Sequence, residues 1–115
     1  MTRDALFLLP PGFSDNGRRE FCPECAEIWG FLSWHPAILE TLEVRYQALA
    51  HPREGMVALL GPGRWNCPTL VLADDAPNKD FSGAARANGR TYLGTARDIA
   101  RYYAVRFGTP VPRGG

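Results

Sequence analysis

An α/β sandwich is the fold class this sequence predicts, and three observations predict it. Short unbroken apolar runs at Ala5-Leu6-Phe7-Leu8-Leu9 and Thr69-Leu70-Val71-Leu72-Ala73 have the length and composition of strands buried on both faces. Segments opened by Pro23 and Pro52 carry apolar residues at helical spacing. The two kinds of segment alternate, in the order strand, helix, strand, helix, strand, strand, helix. Two strand-helix-strand units with a parallel component, closed by an antiparallel hairpin and a helix, make a two- or three-layer sandwich. The 115 residues are expected to form one domain, 1–115 with its core at about 4–108, large enough to fold without a disulfide or metal staple.

Pro10-Pro11-Gly12 stops the first strand. Pro10 through Glu20 then reads as a polar loop, with turn chemistry at Ser14-Asp15-Asn16-Gly17 and a charge cluster at Arg18-Arg19-Glu20. In the helix that follows, Cys22 stands at the N-cap and Pro23 takes the first helical position, where its missing N–H costs nothing. Ala26-Glu27-Ile28-Trp29-Gly30-Phe31-Leu32 carries this helix to His35-Pro36. It is apolar almost all round, so it is expected to lie against a sheet with other elements over it.

Leu42 to Leu49 alternates in part and reads as the second strand. The short helix from Pro52 sets Met56, Val57, Leu59 and Leu60 on one side and ends at Gly61-Pro62-Gly63. Pro68 has no N–H to give to a ladder, so it belongs only at the start of the third strand. Ala76 to Gly89 is small and polar, Ala87-Asn88-Gly89-Arg90 is a turn, and Thr91-Tyr92-Leu93 is a brief strand beyond it. The last helix runs from Thr95 to Phe107. Ile99, Tyr102 and Tyr103 face inward, Arg97, Arg101 and Arg106 face solvent, and Gly108 stops it.

A formal net charge of +1 makes no broad electrostatic claim on nucleic acid or membrane, so neither is expected as a partner. Twelve arginines stand against the single Lys79, a bias that GC-rich bacterial coding explains better than phosphate binding. The N-terminal apolar run is too short for a secretory signal or a membrane span, which points to a cytoplasmic location. In that reducing setting, Cys22, Cys25 and Cys67 point to redox chemistry or metal rather than to a disulfide framework.

Phe21-Cys22-Pro23-Glu24-Cys25 carries the chemistry. A cysteine at a helix N-terminus has its thiolate favoured by unpaired backbone N–H groups and by the helix dipole, an effect on the order of 1 kcal/mol. Arg18 and Arg19 would add to it if the loop folds back, whereas the Glu24 carboxylate opposes it. Cys25 lies one turn on and deeper under the helix, in reach of a mixed disulfide on Cys22, which suits a resolving thiol. A zinc or iron–sulfur site is the rival reading: Cys67, His35 and His51 would complete four ligands, although no second closely spaced pair follows.

At these residues the chain resembles the thioredoxin-like superfamily, in which Cys-x-x-Cys starts the first helix and a cis proline begins the third strand, facing the motif. The resemblance implies a βαβαββα fold with a mixed four-stranded sheet and helices on both faces, and it assigns the cis proline to Pro68. Cys67-Pro68-Thr69-Leu70-Val71 is similar to the proline segment of glutaredoxins and of glutathione transferase N-terminal domains. Thr95-Ala96-Arg97-Asp98-Ile99-Ala100-Arg101-Tyr102 is similar to the last helix of the latter. More closely, about residues 4 to 108 look like an uncharacterised bacterial family of thioredoxin-like proteins of unknown function.

The resemblance implies a thiol-disulfide oxidoreductase. Cys22 and Cys25 would be the catalytic residues, with Phe21, Pro23, Cys67, Pro68 and Asp98 around the substrate, a protein or small-molecule disulfide or thiol. Phe21 stands where thioredoxins carry tryptophan. The Glu-Ser pair that holds glutathione in transferases falls on Thr95-Ala96, leaving Asp98 as a glutaredoxin-like substitute, so glutathione is a candidate ligand and no other cofactor is implied. The alternatives are a non-catalytic binding or redox-sensing module on the same fold, and a metal protein using the three cysteines.

Overall fold

The computed structural model describes residues 1–114. β1 (Asp4–Leu8) lies second from one edge of a mixed five-stranded sheet. It pairs in parallel with β4 (Leu42–Tyr46), in the register Leu6 to Val44. On its other side it pairs antiparallel with β5 (Thr69–Val71), in the register Leu6 to Leu70. β7 (Arg90–Leu93) adds antiparallel to β5, and β6 (Ala85–Ala87) forms the edge beyond it. A parallel neighbour demands a crossover. Here α1 (Pro23–Trp34) and the single turn α2 (Pro36–Leu39) supply it.

Every residue of β1 is buried, so its pleat serves two layers. On one side Asp4, Leu6 and Leu8 face α4 (Ala96–Phe107), where Tyr103 and Arg106 both donate to the Asp4 carboxylate. On the other side Phe7 meets the start of α3 (Glu54–Leu60) beside Gly55. α1 packs against α4, so helices cover both faces of the sheet.

Three differences from the sequence reading have simple causes. The sheet has five strands rather than four, because Ala85–Ala87 pairs with β7 through Asn88 and Gly89, both at positive φ as a tight hairpin turn requires. The loop after β1 is not structureless. Asn16 and Gly17 take the same positive φ and close a separate hairpin of β2 (Phe13–Asp15) and β3 (Arg18–Glu20). α1 is not enclosed all round: Cys25, Ile28 and Leu32 form one buried stripe at three- and four-residue spacing, and Trp34 on the outside is 83% exposed.

Arg106 is the fourth correction. It lies four residues from Tyr102 and three from Tyr103, hence on their face of α4, and its Nη1 meets the buried Asp4 carboxylate at 2.8 Å instead of facing solvent. Asp4 Oδ1 also accepts the Ala73 N–H at 2.8 Å. The carboxylate is only 1% exposed, and three donors compensate its burial. Among the described residues no helix is long and apolar enough to cross a membrane.

Candidate functional site

Cys22 is the N-cap of α1. Its backbone is extended at φ −80° and ψ 113°, Pro23 opens the helix, and its Sγ accepts the Cys25 N–H at 3.2 Å. A sulfur thus does the work usually left to a serine or aspartate oxygen. On its other side the same thiol donates to the Cys67 carbonyl oxygen at 3.8 Å. The Cys67–Pro68 peptide is cis, and Pro68 lies buried immediately before β5. Asn66 Nδ2 anchors this segment to the Gly94 carbonyl at 2.9 Å, and Thr69 Oγ1 closes it on the Asn66 carbonyl at 2.6 Å.

The three thiols are free and unequal. Cys22 is half-buried, Cys25 and Cys67 are buried. Burial first, and then its hydrogen bond to Cys22, push the Cys25 thiol up to about 12, with the Leu9 backbone amide pulling the other way. Burial also raises Cys67, against the lowering influence of the Arg53 guanidinium beside it. The Cys67 Sγ lies 3.9 Å from Met56 Sδ. The backbone of Cys67, rather than its thiol, therefore meets the Cys22 sulfur.

A groove of about 230 Å³ opens over the pair, walled by Pro10, Pro11, Phe21, Ala26 and Trp29. It is apolar, and Phe21 and Pro23 are exposed on either side of Cys22. Glu24 does not lean on the thiol: its Oε1 accepts the Ala96 N–H at 3.2 Å, where a carboxylate complements the positive end of α4. Nor do the hairpin arginines fold back. Arg18 pairs with Glu20 at 2.8 Å, and the Arg19 guanidinium rests against Gly12.

Phe21, Cys22, Pro23, Cys25, Cys67 and Pro68 are thus brought together. Asp98 is not among them. Its carboxylate pairs with Arg101 at 3.2 Å and packs against Gly83, and it lines neither the groove nor the cavity beside Cys67. His35 caps α1 with its ring 4.9 Å from Phe31, and His51 sits 4.9 Å from Trp65. Among the described residues no three His, Cys, Asp or Glu side chains are grouped to hold a metal ion. Sequence reasoning missed Arg53, which is 8% exposed and donates to three backbone carbonyls. One signal was available: an arginine just after Pro52, at the cap of an otherwise apolar short helix.

Fold and site together define an α/β domain with a mixed sheet, in which two thiols at one helix start adjoin the backbone of a third cysteine just before β5. The chain belongs to the family described as "Protein of unknown function (DUF3088)", which matches residues 3–111. No curated protein and no solved structure matches it.

Proposed function

We propose that the domain is a small thiol-disulfide oxidoreductase of thioredoxin-like architecture, with Cys22 as the attacking thiol and Cys25 as the resolving one. The observation that carries the reading is the Cys22 sulfur held as the cap of α1. The Cys25 backbone N–H is directed at it. The thiolate is the form of a cysteine that attacks disulfides. Support for the architecture comes from the parallel β1–β4 pair joined through α1, the antiparallel β5 and β7, and the cis proline beside the thiols.

Cys22 thiolate attacks one sulfur of a substrate disulfide. A Cys22–substrate disulfide forms, the substrate S–S bond breaks, and the departing thiolate takes a proton from water. With Cys22 in the mixed disulfide, the two causes by which it raises Cys25 disappear, leaving burial and the neighbouring Cys67. Cys25 gives up its proton and attacks the Cys22 sulfur. The Cys22–Cys25 disulfide forms and the second substrate thiol leaves. Two electrons pass to the substrate, and an external thiol reductant restores the pair.

The Cys67 carbonyl and the apolar groove provide the binding surface, suited to an extended apolar peptide or a small organic disulfide. The test is reduction of insulin or of a small aromatic disulfide with dithiothreitol as reductant. Cys25→Ser is expected to accumulate a mixed disulfide on Cys22 visible by mass spectrometry. Wild-type turnover no faster than that of Cys22→Ser sinks the proposal, and leaves the non-catalytic binding module as the reading of the same groove.

A further inference from the structure

A second cavity exceeds the thiol groove in volume. It lies on the far side of Cys67, between the loop that precedes α3 and the segment that leads into β5. At about 530 Å³ it is within the size range of small-molecule sites. Its wall includes His51, Arg53, Arg64, Trp65, Cys67 and Tyr92, with no Asp or Glu in the lining.

Arg53 is the unusual member. Its Nε, Nη1 and Nη2 donate to the carbonyls of Ala48, Trp65 and Leu49 at 3.0, 2.6 and 3.0 Å. Those bonds fix the guanidinium and join the two loops that frame the cavity, but they do not neutralise it. None of the ion pairs among the described residues includes Arg53, or Arg64 on the same wall. An ion withdrawn from water without a counter-ion is expensive. By contrast, the other arginine fixed into the interior, Arg106, has its carboxylate in Asp4. The missing negative charge at Arg53 has a place to come from, because the side chain borders an open cavity. The Trp65 and His51 rings, centroids 4.9 Å apart, add flat apolar surface to the same wall.

We propose that this cavity binds a small organic anion, a carboxylate on a planar or apolar body. The carboxylate meets the positive charge of Arg53 and the exposed Arg64, whose planar donor fork matches its two oxygens, and the body lies against Trp65. The site uses neither Cys22 nor Cys25, so it stands or falls independently of the thiol chemistry.

The test follows Trp65 fluorescence in the full chain carrying Trp29→Phe and Trp34→Phe. Benzoate is titrated against benzamide, its neutral analogue, and against sulfate. Saturable binding of benzoate at least about tenfold tighter than of benzamide and of sulfate is expected, with about a tenfold loss in the exposed-site variant Arg64→Gln. Cys22→Ser is expected to bind as the parent does. Melting temperatures of the unsubstituted chain in the same compounds give the same ranking should the double Trp variant fold poorly. Equal affinity for benzamide or sulfate, no saturation by about 10 mM benzoate, or unchanged binding in Arg64→Gln overturns the proposal.

Discussion

The Cys22 sulfur accepts the backbone N–H of Cys25 at 3.2 Å, so the thiol that starts α1 is also the group that caps it. Structure and chemistry are therefore separable at this residue. Serine is among the best N-caps, so Cys22→Ser is expected to melt within about 0.5 kcal/mol of the parent while losing all disulfide reduction. Cys22→Ala, which removes cap and nucleophile together, is expected to cost about 1 kcal/mol as well. Urea unfolding and insulin reduction on the two variants separate the effects.

The raised Cys25 thiol gives the protein an alkaline weakness. Its pKa stands at about 12 in the folded chain against 9.0 for the free group, so the folded state keeps a proton that the unfolded state gives up. Stability is full below about pH 9 and falls as pH rises from about 9 toward 12, by about 1.4 kcal/mol per pH unit for each such group. Burial followed by the Asp4 charge raises Tyr103 too, adding a second loss once free tyrosine ionises. Unfolding free energies measured between about pH 7 and 10.5 are expected to bend downward above 9, and Cys25→Ala to remove part of the bend. A flat profile contradicts the burial of both groups.

Asp4 joins the first strand to the last helix through Tyr103 and Arg106, each at 2.8 Å. Tyr103→Phe removes one of three donors and keeps the ring, which predicts a loss of about 1–2 kcal/mol. Arg106→Met leaves the buried carboxylate without its counter-ion, which predicts about 3–5 kcal/mol. The ranking, Arg106→Met worse than Tyr103→Phe, is read from denaturant midpoints at unchanged slope.

The parts of this molecule legible in its sequence are those with a local physical cause. Cys22 and Pro23 mark the start of α1 by cap and φ preference, Thr95 and Gly108 bound α4, and the unbroken apolar run marks β1. The two hairpins were harder, because three-residue strands such as Arg18–Glu20 are too short for a period. Their Asn-Gly turns were the only usable trace. Arg106 and Arg53 were illegible for another reason: an arginine's partners, Asp4 for one and three scattered carbonyls for the other, are fixed by tertiary contact alone. Of the site, the thiol pair was legible from spacing. That Cys67 offers its carbonyl rather than its sulfur was not.

Glu24 ties the start of α1 to the start of α4 through the Ala96 N–H. Thr95 already caps α4 by accepting the Asp98 N–H at 3.1 Å, so the loss in Glu24→Ala is expected to stay near about 0.5–1 kcal/mol. A melting shift that vanishes in Glu24→Gln, whose amide oxygen keeps the acceptor without the charge, assigns the effect to the hydrogen bond rather than to the dipole.

Cys25, rather than Cys67, is expected to resolve the mixed disulfide. Cys25 shares the groove with Cys22 and its backbone N–H bonds the Cys22 sulfur, whereas Cys67 reaches that sulfur with its carbonyl and its own Sγ lies against Met56. Alanine at 67 preserves that carbonyl. Cys67→Ala is therefore expected to keep the release rate of a trapped substrate within about threefold of the parent, whereas Cys25→Ala lowers it by about 100-fold or more through loss of the intramolecular attack. Stopped-flow release of an aromatic thiol from the Cys22 mixed disulfide measures both. Comparable losses in the two variants would mean that the Cys67 side chain swings across the cis peptide segment to act as a second resolving thiol, and the assignment of that role to Cys25 alone would fall.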